Sequence, residues 1–113
     1  MTLAALLEEL KEVDPKLYDD ISHLELIGWQ QPRNQAMDHL QGSIQRACER
    51  QKWHWTIMKD PYQDGYRAEI AVVSESHLSD HICIDDLAIK CATSPTEALL
   101  AAYIAAVRAE AKR

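Results

Sequence analysis

Between His77 and Cys83 the chain reads His-Leu-Ser-Asp-His-Ile-Cys, the stretch whose residue types most resemble a reactive site. His77, His81 and Cys83 could supply two imidazoles and a thiolate, a ligand set that suits zinc. A His-x-x-x-His pair serves a metal best on a helix, where both rings share a face. Here the segment reads as a polar loop running into a strand, and no Cys-x-x-Cys pair stands nearby to complete a site. The preferred reading is therefore a loop that feeds a strand in which Cys83 is a small, half-buried apolar residue. No metal or other cofactor is expected.

A nucleophilic thiol needs a histidine or a cation beside it. Cys48, Cys83 and Cys91 offer many such pairings and single out none, so all three read as buried structural cysteines. The acidic pair Asp85-Asp86 could work in acid–base chemistry, but adjacent strand residues point to opposite faces, and a turn explains the pair better. Trp53 and Trp55 share strand parity and read as core, with an outward aromatic patch including Tyr62 as the alternative. Glu8, Glu9, Glu12, Asp14, Asp19 and Asp20 crowd the first twenty residues. Such a cluster is ordinarily the solvated face of amphipathic helices, and it could also steer a basic protein onto the chain.

The elements that must position these residues follow from pattern. At 113 residues, 47% hydrophobic and 27% charged, the composition is that of one folded domain spanning residues 1–113. A formal net charge of -6 argues against direct binding to nucleic acid or an anionic membrane, because neutralising phosphate requires a cationic surface. An odd cysteine count without a Cys-x-x-Cys pair suggests reduced thiols and a cytoplasmic setting. The opening residues acquire Glu8 and Glu9 too early for a secretory signal, and no apolar run approaches the roughly 18 residues that span a bilayer.

Leu3, Leu6, Leu7, Leu10 and Val13 recur at helical spacing behind Thr2, which can cap them. Asp14-Pro15 ends that helix and can begin a short second one carrying Leu17, Tyr18, Ile21 and Leu24. From Leu24 to Arg33 the pattern lapses into a connector. Asn34 then opens a helix reaching to about Gln51, through Met37, Leu40, Ile44, Ala47 and Cys48.

At Trp53 the period changes to two. Trp53, Trp55 and Ile57 form one strand face, and Tyr66, Ala68, Ile70 and Val72 form the next, across the turn residues Asp60 to Gly65. Ser74 to Asp80 reads as a polar loop. Ile82, Ile84, Leu87 and Ile89 then make two short strands about Asp85-Asp86 or one bent strand. The end of the chain is the most completely specified element: Ser94, Pro95 and Glu97 form a capping box ahead of Leu100, Tyr103, Ile104 and Val107. Its alanines (Ala98, Ala101, Ala102, Ala105, Ala106 and Ala109) would let a sheet approach closely, with Ile57, Ile70 and Ile89 beneath them. The sum is an α+β fold in which an antiparallel sheet of three to four short strands packs against N-terminal helices and an Ala-rich C-terminal helix.

From Trp53 onward this layout resembles the phage ABA-sandwich domain family. The resemblance is carried by the tryptophan-opened strand Trp53-His54-Trp55-Thr56-Ile57 and the second strand Tyr66-Arg67-Ala68-Glu69-Ile70. It continues in Ala92-Thr93-Ser94-Pro95, which leads into Ala98-Leu99-Leu100-Ala101-Ala102-Tyr103. It spans roughly half of the chain and brings no catalytic residues with it. What it implies is a phage or prophage context, in which small acidic proteins often bind host machinery. The expected function is thus a non-enzymatic accessory protein that binds and inhibits a host, defence-related protein complex. Glu8, Glu9, Glu12, Asp19, Asp20 and Tyr62 would be its contact residues. The partner would be a basic, nucleic-acid-binding protein, and the inhibitor could form a homodimer. The alternative is a homo-oligomeric binder of a nucleotide-like signal that uses aromatic residues at a subunit interface.

Overall fold

In the computed structural model, which describes residues 2–21, 34–60, 64–75 and 82–112, the chain runs as three helices, three strands and a final helix. The helices α1 (Leu3–Val13) and α2 (Pro15–Ile21) are separated by a single residue, Asp14, at φ -148 and ψ 75. The Thr2 hydroxyl accepts from Ala5 N to cap α1, and the Asp14 carboxylate accepts from Leu17 N to cap α2. Leu6, Leu7, Leu10, Leu17 and Ile21 point inward from this bent pair. The third helix, α3 (Asn34–Arg50), buries Leu40, Ile44, Ala47 and Cys48. It ends through Lys52, which takes a φ of 61 while its N–H bonds to the Glu49 carbonyl.

The strands β1 (Trp53–Lys59), β2 (Tyr66–Glu75) and β3 (Ile82–Ala92) form one antiparallel sheet in the order β1-β2-β3. Trp53 lies opposite Val72, Trp55 opposite Ile70 and Ile57 opposite Ala68. These residues turn one face of the sheet toward the helices, with Ala68 and Ile70 fully buried. Trp53 is core, at 6% exposure, and Trp55 is half-buried against the same cluster.

The segment around Asp85-Asp86 is one bent strand, the second of the two arrangements its pattern allowed, and no turn forms at the acidic pair. Asp85 pairs with Val72 and Asp86 with Ala71, while Ala88 pairs with Ile70. Leu87 is therefore an extra residue, a bulge that lets the strand bend without breaking the ladder. The bulge brings partly buried Leu87 and buried Ala88 against the core. Ile89, expected beneath the C-terminal helix, lies opposite Glu69 and is 48% exposed.

The last helix, α4 (Pro95–Ala111), occupies the centre of the helical layer and packs against α1, α3 and all three strands. Ser94 accepts from Glu97 N as its cap, and the Glu97 carboxylate takes a long bond from Thr93 Oγ1. Leu99, Leu100, Tyr103 and Ile104 are buried together with Ala98, Ala102 and Ala106. Burial of each large apolar side chain contributes about 1.5–3 kcal/mol, which makes α4 the main organiser of the core. Thr96, a buried polar residue, donates its hydroxyl to Gln41 Oε1 at 3.0 Å and ties α4 to α3. The connector expected over Leu24 to Arg33 lies outside the described residues.

Candidate functional site

The expected acidic contact residues divide into two groups. Glu8 and Glu12 are exposed one turn apart on α1, and Asp19 and Asp20 are exposed on α2. Glu9 is engaged instead, its Oε1 lying 3.6 Å from Arg108 Nη1 on α4. Lys11 interrupts the acidic face of α1, with its Nζ 5.7 Å from the centre of the Tyr18 ring. Tyr62 lies outside the described residues, as do His77 and His81. Cys83 falls in β3 opposite Ser74. Among the described residues no group of three or more His, Cys, Asp or Glu side chains could hold a metal ion.

Asp14 does not belong to that acidic surface. Its Oδ2 accepts a hydrogen bond from the Tyr103 hydroxyl at 2.6 Å, while Oδ1 accepts from Leu17 N at 3.1 Å. Tyr103 is 1% exposed, and its ring packs against that of Trp53 at 5.9 Å between centroids. A phenol buried on a helix needs a partner for its hydroxyl. Burial, then the bond to Asp14, raises the Tyr103 pKa above the ordinary tyrosine value, so the phenol keeps its proton. Reading Tyr103 only as one member of an apolar stripe misses this bond. The legible signal was a tyrosine among leucines and alanines, whose hydroxyl would need a partner once buried.

Above this pair lies a groove of about 360 Å³ between α2, the end of α3 and α4, lined by Asp14, Lys16, Leu17, Asp20, Arg50 and Gln51, among others. Arg50 is near enough to the phenol to favour its ionisation slightly, against the larger effect of burial. Lys16 and Arg50 are both exposed, and neither has a carboxylate within ion-pair distance among the described residues.

The face of the sheet turned away from the helices carries Arg67, Glu69, Ile89 and Cys91 in neighbouring rows. Arg67 Nη2 donates to Met58 Sδ at 3.1 Å, and its Nε lies 3.5 Å from Glu69 Oε1. That approach is an ion pair without hydrogen-bond geometry, which leaves the buried Nε–H without a partner. Cys91 is exposed here, contrary to the expectation that every cysteine is buried; its Sγ is 4.0 Å from Asp60 Oδ2. The reason is register, since Cys91 sits opposite the outward-facing Arg67. Cys48 is fully buried, and burial followed by the charge of Glu49 pushes its thiol up to about 12, which suppresses the thiolate a nucleophile needs.

No helix of the described residues is long and apolar enough to cross a membrane. No family model matches the chain, and no curated protein or solved structure matches it either.

Proposed function

We propose that the chain is a protein-binding module that engages a basic, nucleic-acid-binding partner through the outer surface of α1 and α2. In the phage setting that the ABA-sandwich resemblance implies, the partner is a component of a host defence complex, and binding inhibits it. The observation that carries this reading is the exposure of Glu8, Glu12 and Asp20, none of which has a cation within ion-pair distance among the described residues. On a chain of net charge -6 such carboxylates present a negative surface that speeds encounter with a positive one. Glu9 supports the helix packing through Arg108 and is set apart from the contact residues.

The test begins with capture of partners from a host lysate and continues with the purified partner. Its affinity, measured by calorimetry, should fall steeply between low and physiological salt, because exposed charge pairs are screened over about 8–10 Å. The double variant Glu8→Lys/Glu12→Lys should melt like the parent and lose at least about tenfold in affinity, or roughly 1.4 kcal/mol. Binding that ignores both salt and charge reversal would discard the acidic surface as the contact.

A further inference from the structure

The groove above the Asp14–Tyr103 bond has two unlike walls. From the end of α3 and the turn after it come Arg50, with five donors in a planar fork, and the Gln51 amide. From α2 and the aspartate that caps it come Lys16, Asp20 and Asp14. Lys16 and Asp20 are four residues apart on that helix without forming an ion pair, so the α2 side sums to one net negative charge. The remaining opposition runs across the groove, from the Asp14 carboxylate on one side to the Arg50 guanidinium on the other. Each Asp14 oxygen accepts one hydrogen bond, from Leu17 N or from the Tyr103 hydroxyl, and a carboxylate oxygen has capacity for a second. Leu17 of α2 and Ala47 of α3, both almost fully buried, add a small apolar part to the lining.

We propose that this groove binds a small dipolar acid, a molecule with a carboxylate and an ammonium a few bonds apart, of which an α-amino acid is the simplest. The carboxylate lies on Arg50 and Gln51, the ammonium on Asp14 and Asp20, and the short carbon skeleton on Leu17 and Ala47. A simple anion would meet the two aspartates, and a simple cation would meet Lys16 and Arg50. Only a ligand carrying both charges is complementary to both walls. At about 360 Å³ the groove lies at the small end of ligand sites, which run from about 300 to 1,000 Å³. The groove shares Asp20 with the proposed contact surface, but Arg50→Ala probes the groove and Glu8→Lys/Glu12→Lys the contact surface, so either proposal can fail alone.

The experiment is amide NMR of the full chain titrated with the standard L-amino acids, each to about 10 mM, a concentration that detects millimolar dissociation constants. At least one amino acid should shift the Leu17, Ala47 and Gln51 amides together in a saturable way. The matching amine without the carboxylate, and the matching acid without the ammonium, should each bind at least about tenfold more weakly. Arg50→Ala, a change at an exposed position, should weaken the amino acid to the same degree and leave the melting temperature of the free protein unchanged. Lys59→Ala, on β1, should leave the binding as it was. The proposal is overturned if no amino acid shifts these amides, if the amine or the acid binds as well as the parent compound, or if Arg50→Ala binds normally.

Discussion

Removing one oxygen atom, by Tyr103→Phe, tests whether the Asp14–Tyr103 bond holds the helical layer together. The ring stays, so its contact with Trp53 at 5.9 Å and the burial of the side chain are retained. What is lost is a 2.6 Å bond from a buried phenol to a carboxylate whose residue joins α1 to α2. Hydrogen bonds to charged groups are worth about 1.5–3 kcal/mol, and at about 4 °C per kcal/mol for a domain of this size the melting temperature should drop by roughly 6–12 °C. Urea unfolding should show a lower midpoint at unchanged slope, because the surface exposed on unfolding is the same. Asp14→Ala should cost more, about 2–4 kcal/mol, since it removes the cap of α2 and also strands the buried hydroxyl. In the double variant the stranded hydroxyl is gone, so the two costs should fall short of additivity by about 1–2 kcal/mol. A Tyr103→Phe protein within about 0.5 kcal/mol of the parent, or a strictly additive cycle, would refute the assignment.

Stability should fall as pH rises above about 9, because the Cys48 thiol ionises near 9.0 when unfolded and near 12 when folded. The folded state then binds more protons than the unfolded one, which makes the slope negative, at about 1.4 kcal/mol per pH unit for that group. Urea titrations at stepped alkaline pH would show it, Cys48→Ala should flatten the first part of the fall, and a level profile would count against the burial argument. Tyr103 acts in the same sense above its ordinary value of 10.0. The glycines should respond in opposite directions. Gly65 has φ 144, and a Cβ there would sit 2.7 Å from the Ala92 carbonyl oxygen, so Gly65→Ala should destabilise by about 2 kcal/mol or more. Gly42 lies inside α3, where a Cβ meets only the mobile end of Arg46 at 3.3 Å, so Gly42→Ala should stabilise by about 0.5–1 kcal/mol in thermal melts. Lys52→Gly should add about 0.5–1 kcal/mol by relieving the positive φ of 61 at the end of α3.

Much of the architecture was legible residue by residue. The Thr2, Asp14 and Ser94 caps stand at the helix starts where their side chains could satisfy exposed N–H groups. The alternation from Trp53 and from Tyr66 became β1 and β2. These signals survive because a cap or a period of two is a property of neighbouring residues, and the backbone must meet it locally. The third strand was ambiguous for the complementary reason. Asp85-Asp86 has the composition of a turn, and the cross-strand bonds to Val72 and Ala71 hold it in the ladder.

The placement of individual side chains depended on partners far away in the chain. Ile89 and Cys91 are outward because of where β3 lies against Glu69 and Arg67, and a strand has no local preference between its two faces. The bond between Asp14 and Tyr103 joins residues 89 positions apart. It converts one member of an acidic run into a half-buried acceptor, and one member of an apolar stripe into its donor. The groove above it exists only because α2, α3 and α4 converge. Short-range stereochemistry in the sequence determined where the elements lie and which residues cap them. Tertiary packing decided which charges remain in solvent, because the desolvation of a polar group, and the partner that must offset it, are set by distant chain segments.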